Sequence, residues 1–111
     1  SNLENGGIWV LPRSHKWGVL EHESEEPNQQ VYGGLRAKCS DYSGAVPVEM
    51  KAGQVAIFSS LTLHMSGPNT SRNSMRRGYV PQYHVPGVIL KKTGKPVGDQ
   101  FPVLRDGLRV S

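Results

Sequence analysis

The sequence predicts an all-β chain of short strands and long loops, and three observations carry that prediction. Thirteen glycines and eight prolines are spread along 111 residues, and both residue types interrupt regular backbone direction, as strands joined by turns require. Long apolar runs and a sustained helical period are lacking. The stretch from Val46 to Met50 alternates apolar and polar residues with period two, which puts one apolar face on a strand. A chain this short forms one domain at most, residues 1–111, and buries only somewhat over half of its unfolded surface. Its last part, 88–111, is poorly patterned.

Taken in order, Glu4-Asn5-Gly6-Gly7 is a turn signal, and Ile8-Trp9-Val10-Leu11 has the bulky and branched residues of a strand. Pro12 ends it. From Arg13 to Gln30 the chain is polar and acidic without a period, a long loop with at most a short helical turn. Val31–Leu35 is a weak strand, because Gly33 and Gly34 add entropy cost and no packing. Val46, Val48 and Met50 alternate with Pro47 and Glu49, a strand with one apolar face. Lys51-Ala52-Gly53-Gln54 turns the chain, with Gly53 supplying positive φ, into a further strand, Val55-Ala56-Ile57-Phe58.

Thr62-Leu63-His64-Met65 reads as another strand, closed by the turn formers Gly67-Pro68-Asn69-Thr70-Ser71, in which the Asn69 side chain caps the turn. Arg76–Val85 is its return strand, at an edge or with a bulge because Pro81 lacks a backbone donor. On that strand Arg76, Gly78, Val80, Gln82 and His84 share one face, and Arg77, Tyr79 and Tyr83 the other.

The net charge of +4 is unevenly laid out. Glu21, Glu23, Glu25 and Glu26 cluster early. Between Glu49 and Asp99 no acidic residue occurs, while Lys51, Arg72, Arg76, Arg77, Lys91, Lys92 and Lys95 do. Such a stretch is either a solvated basic face or a surface for anions. Nucleic acid as a partner has only this charge behind it. Cys39 is the single cysteine, which excludes an internal disulfide framework and a multi-cysteine zinc site. No apolar run approaches the roughly 20 residues that cross a bilayer, so a soluble, cytoplasmic protein without membrane contact is expected.

Across a hairpin, His64 on one strand and Arg76 on the next would bring an imidazole near a guanidinium, with the Ser66 hydroxyl beside them. That set suits a ligand that chelates a metal at one end and offers a carboxylate at the other, since arginine matches a carboxylate through two parallel hydrogen bonds. His15 is expected to fix its loop by hydrogen bonding, Trp9 and Trp17 to pack in the core or a loop, and His84 to face inward on the return strand.

The blocks Glu4-Asn5-Gly6-Gly7 through Pro12-Arg13-Ser14-His15-Lys16-Trp17-Gly18, Lys51-Ala52-Gly53-Gln54 through His64-Met65-Ser66-Gly67-Pro68-Asn69, and Arg76-Arg77 resemble the phytanoyl-CoA dioxygenase family. The resemblance implies the C-terminal half of a jelly roll, a partial double-stranded β-helix of cupin-like form. It also implies iron(II) and 2-oxoglutarate as cofactors, and hydroxylation of a small organic or acyl substrate with 2-oxoglutarate converted to succinate and carbon dioxide. His64 matches the distal iron ligand, Ser66 a cosubstrate-contacting hydroxyl and Arg76 the arginine that binds the far carboxylate of 2-oxoglutarate. Two departures stand out. The His64–Arg76 spacing is one residue longer than usual, which makes Arg77 a rival, and Arg13 replaces the glycine common before Ser-His.

The family's His-x-Asp pair lies upstream of the Glu-Asn-Gly block, and none of His15, His22, His64 or His84 is followed two positions later by a carboxylate. With one ligand of a three-ligand iron site, the isolated chain is expected to be inactive. It then reads as a truncated gene product, a subunit completed by another chain, or a relic reused to bind an anion or a protein. Uncovered sheet edges predict a homo-oligomer or pairing with a completing chain.

Overall fold

The computed structural model describes residues 1–24, 35–98 and 101–110. Its elements are seven short strands and one 3-10 turn, with no α-helix among the described residues. The strands are β1 (Ile8–Val10), β2 (His22–Ser24), β3 (Leu35–Ala37), β4 (Val46–Val48), β5 (His64–Ser66), β6 (Leu104–Arg105) and β7 (Leu108–Arg109). The all-β expectation holds among the described residues, in small separate sheets and without a closed barrel there. Two compact units divide the chain, Ser1–Gly78 and Tyr79–Ser111.

In the first unit β1 is the centre of a three-stranded antiparallel sheet ordered β4-β1-β5. Ile8 faces Val48 and Ser66, and Val10 faces Val46 and His64. Directly opposed residues share a face, so Ile8, Val10, Val46, Val48, His64 and Ser66 lie on one side, and Trp9, Pro47 and Met65 on the other. Pro47 is tolerated because β4 is an edge strand. Pro12 ends β1 as expected, and Gly53 turns the chain with φ 85°. β2 and β3 pair antiparallel, with Glu23 opposite Arg36.

Two expected strands do not form. Val55–Phe58 and Arg76–Val85 join no strand ladder, with Ile57 94% exposed. Strand-like residues become a strand only when a neighbouring backbone completes the ladder, and β5 takes its partner from β1. The face parity drawn for Arg76–Val85 falls with the strand. Conversely, β2 lies inside the stretch read as a loop. The weak strand Val31–Leu35 lies mostly outside the described residues, and β3 begins where it was expected to end.

The buried part of the first unit sits where the Glu-Asn-Gly-Gly turn, the end of β1 and the approach to β5 meet. Asn5, Gly6, Gly7, Leu11 and Ser14 are buried there. In the second unit, Asp106 and Gly107 both have positive φ (50° and 78°) between β6 and β7, the geometry of a two-residue Asp-Gly hairpin turn. This hairpin lies in the stretch expected to lack pattern.

Candidate functional site

His64 opens β5 opposite Val10. Its Nδ1 lies 2.8 Å from the Thr62 carbonyl oxygen. A carbonyl only accepts, so in the neutral ring this contact puts the proton on Nδ1 and the lone pair on Nε2, as a metal-ligating imidazole requires. The Phe58 ring packs against the imidazole with centroids 5.0 Å apart and planes at 55°. Phe58 thus restricts the ring although its own segment joins no sheet. Ser66, two residues on, lies on the same strand face and is exposed.

Ser14, next to the His15 expected to fix its loop, holds this strand in place. Ser14 is 1% exposed, its Oγ donates to the Leu11 carbonyl at 2.7 Å, and it accepts the Leu63 N–H at 2.8 Å. The Leu63 carbonyl accepts the Leu11 N–H at 2.9 Å. The residue immediately before His64 is therefore gripped on both backbone groups. To bring Ser14 there, Arg13 adopts a left-handed conformation (φ 69°, ψ −4°), which accounts for glycine being the commoner residue at that position of the resembled motif.

Arg76 does not arrive on a strand beside β5; it follows a loop docked onto the Glu-Asn-Gly turn. The Glu4 carbonyl accepts from Thr70 N at 2.9 Å, Ser71 N at 3.1 Å and Thr70 Oγ1 at 3.0 Å. Asn69 caps this loop as expected, its Oδ1 accepting the Ser71 N–H at 2.9 Å and its Nδ2 donating to the Ser74 carbonyl at 2.7 Å. Gly6 is required here: at φ 76°, a Cβ on it would meet the Gly67 carbonyl oxygen at 2.6 Å. Arg76 is half-buried and its rival Arg77 exposed. The Arg76 guanidinium lies beside Gly78, and among the described residues no ion pair engages either arginine.

The structure thus brings His64 and Ser66 together on one strand and delivers Arg76 in the same compact unit by a separate route. His84 lies on no strand, is exposed, and has Nδ1 2.7 Å from the Val85 carbonyl oxygen, so its expected inward position is corrected. Trp17 is 53% exposed and lines an open cleft of about 580 Å³ with Leu11, Leu20, Lys38, Cys39 and Asp41; it is not packed away. In that cleft the Ser43 N–H donates to the Asp41 carboxylate at 2.8 Å. That backbone bond, aided by the Ser43 hydroxyl, holds the Asp41 carboxyl below its ordinary value of 3.8. Lys38 pairs with Glu21 at 3.3 Å.

No three His, Cys, Asp or Glu side chains among the described residues converge to hold a metal ion. A facial iron site needs two histidines and a carboxylate, so the described residues do not make up an iron site. No helix among the described residues is long and apolar enough to cross a membrane.

The family model for phytanoyl-CoA dioxygenase matches residues 1–78, the same span as the first compact unit. Dioxygenase aneA of Aspergillus aculeatus is 32% identical over 75 residues, 68% of this chain and 20% of that protein. A phytanoyl-CoA dioxygenase domain-containing protein 1 homolog of Dictyostelium discoideum is 32% identical over 78 residues, 67% of this chain and 28% of that protein. No solved structure is a significant match. The chain belongs to the phytanoyl-CoA dioxygenase family, and it spans under a third of the length of these curated relatives.

Proposed function

We propose that this chain supplies part of the active site of an iron(II)/2-oxoglutarate-dependent dioxygenase acting on a small organic or acyl substrate, and that it has no dioxygenase activity alone. His64 is the metal ligand, Arg76 binds the far carboxylate of 2-oxoglutarate, and Ser66 adds a hydroxyl to the cosubstrate. The observation that carries this reading is the His64 imidazole. Its Nδ1–H is committed to the Thr62 carbonyl, leaving Nε2 as the ligating atom, on a strand inside the span matched by a dioxygenase family. The half-burial of Arg76 against the exposure of Arg77 favours Arg76, because a partly desolvated guanidinium binds a carboxylate more strongly than a fully hydrated one. The remaining iron ligands come from outside the described residues.

The test is an anaerobic titration of the chain with 2-oxoglutarate, with and without iron(II). The expected result is weak affinity that rises with metal, falls back to the metal-free level in His64→Ala, and drops in Arg76→Ala but not in Arg77→Ala. Metal-independent affinity that survives His64→Ala would overturn the dioxygenase reading in favour of a non-catalytic module binding anions through its basic residues.

A further inference from the structure

Asn5 is 7% exposed and joins two distant parts of the chain. Toward its own turn it exchanges hydrogen bonds with Asn2, whose N–H donates to Asn5 Oδ1 at 2.8 Å and whose Oδ1 accepts the Asn5 N–H at 3.0 Å. Toward the loop it donates from Nδ2 to Ser74 Oγ at 3.1 Å. Ser74 is then held at every polar group: Oγ by Asn5, the carbonyl by Asn69 Nδ2 at 2.7 Å, and the N–H by Ser71 Oγ at 3.0 Å. Arg76 follows two residues later, on a segment with no strand ladder.

We propose that Asn5 is a positioning residue for Arg76, acting through Ser74 to set where the guanidinium meets the cosubstrate carboxylate; this rests on the assignment of Arg76 as the carboxylate-binding arginine. Ladder hydrogen bonds normally fix the direction of a strand residue. Here that work falls to the clamp on Ser74, and a small misplacement of a bidentate donor forfeits one of its two bonds. Position 5 calls for asparagine because one side chain must accept from Asn2 and donate to Ser74 at once.

The experiment measures 2-oxoglutarate dissociation constants in the presence of iron(II), without oxygen, for the whole chain and five variants, alongside urea unfolding of each. Ser74→Ala removes the Asn5–Ser74 bond and leaves both Asn2–Asn5 turn bonds intact, Asn5→Ala removes that bond and one of the two turn bonds, and Asn2→Ala removes the other turn bond alone. Ser74→Thr keeps the hydroxyl. We expect Ser74→Ala and Asn5→Ala to weaken binding about five- to tenfold, the scale of one lost hydrogen bond to the cosubstrate, with Ser74→Thr restored toward the parent. Asn2→Ala should lower the unfolding midpoint without changing affinity, which separates positioning from general stability.

Unchanged affinity in Ser74→Ala and Asn5→Ala, while Arg76→Ala weakens binding, overturns the clamp and leaves the assignment of Arg76 standing. Unchanged affinity in Arg76→Ala, or no saturable binding by the parent, overturns the assignment itself and the positioning role with it.

Discussion

Replacing Ser14 by alanine tests the link between the Pro-Arg-Ser-His segment and the strand that carries His64. The serine hydroxyl is enclosed, at 1% residue exposure, and makes two hydrogen bonds, to Leu11 O and from Leu63 N. Their losses are unequal. The Leu11 carbonyl keeps the Ser14 N–H as a donor at 3.3 Å, so it stays satisfied, whereas the Leu63 N–H loses its acceptor. An unpaired donor costs about 1–3 kcal/mol when buried; for the partly buried Leu63 N–H we take about 2 kcal/mol, roughly a thirtyfold drop in the folded-to-unfolded ratio. Urea unfolding followed by tryptophan fluorescence reads the energy, and amide hydrogen exchange at Leu63 and His64 reads the location. Ser14→Ala within about 0.5 kcal/mol of the parent, with exchange at those two amides unchanged, would refute the reasoning.

Arg13→Gly should stabilise the chain by about 0.5–1 kcal/mol, because the left-handed cost of a side-chain-bearing residue exceeds the extra freedom glycine adds to the unfolded state; a lower urea midpoint would count against it. Gly6→Ala should cost more than about 2 kcal/mol, since it combines positive φ with a Cβ driven into the Gly67 carbonyl, and a folded variant with parent stability would contradict the packing described. The Asp41 carboxyl, held low by the Ser43 N–H, contributes stability that is fully present above its ordinary value of 3.8 and fades as pH falls through its lower folded value. The Ser43 amide resonance should therefore titrate with a midpoint below 3.8, and a midpoint at or above it would remove the bond from the account. The chain should self-associate, because Val55 is 80% and Ile57 94% exposed and such apolar surface is covered by a neighbour; a monodisperse monomer in light scattering would disprove this.

The legible parts of the fold are those whose signal is local. β1 announces itself by Ile8-Trp9-Val10 ahead of Pro12, β4 by its alternation, and the turn at Gly53 by a residue that takes positive φ without strain. Asn69 is legible for the same reason, since an asparagine after Gly-Pro caps its own turn. Pairing is not local, and there the sequence misleads. Val55–Phe58 and Arg76–Val85 have strand composition but no ladder, while His22–Ser24 has neither an apolar face nor branched residues and still pairs with Leu35–Ala37. Asp106-Gly107 was a readable hairpin signal, hidden because its flanking strands are only two residues long.

The candidate site shows the same division between chemistry and placement. His64, Ser66 and Arg76 stand out as residue types suited to a metal and a carboxylate, and the family match covers all three. The residues that place them are less conspicuous. Ser14 and Asn5 look like ordinary turn formers, and their distinguishing property is the distance of their partners, Leu63 lying 49 residues from Ser14 and Ser74 69 residues from Asn5. Hydrogen bonds of that span cost loop-closure entropy, and removing Ser14 or Ser74 leaves a partly buried donor, Leu63 N–H or Asn5 Nδ2, without its acceptor. In a unit whose buried hydrophobic side chains reduce, among the described residues, to Leu11, these polar pins rather than a core decide where the imidazole and the guanidinium stand. Polar substitutions at positions 14, 5 and 74 should therefore disturb the site more than trimming exposed Met65 or Val46, an order opposite to that of a protein held by apolar packing.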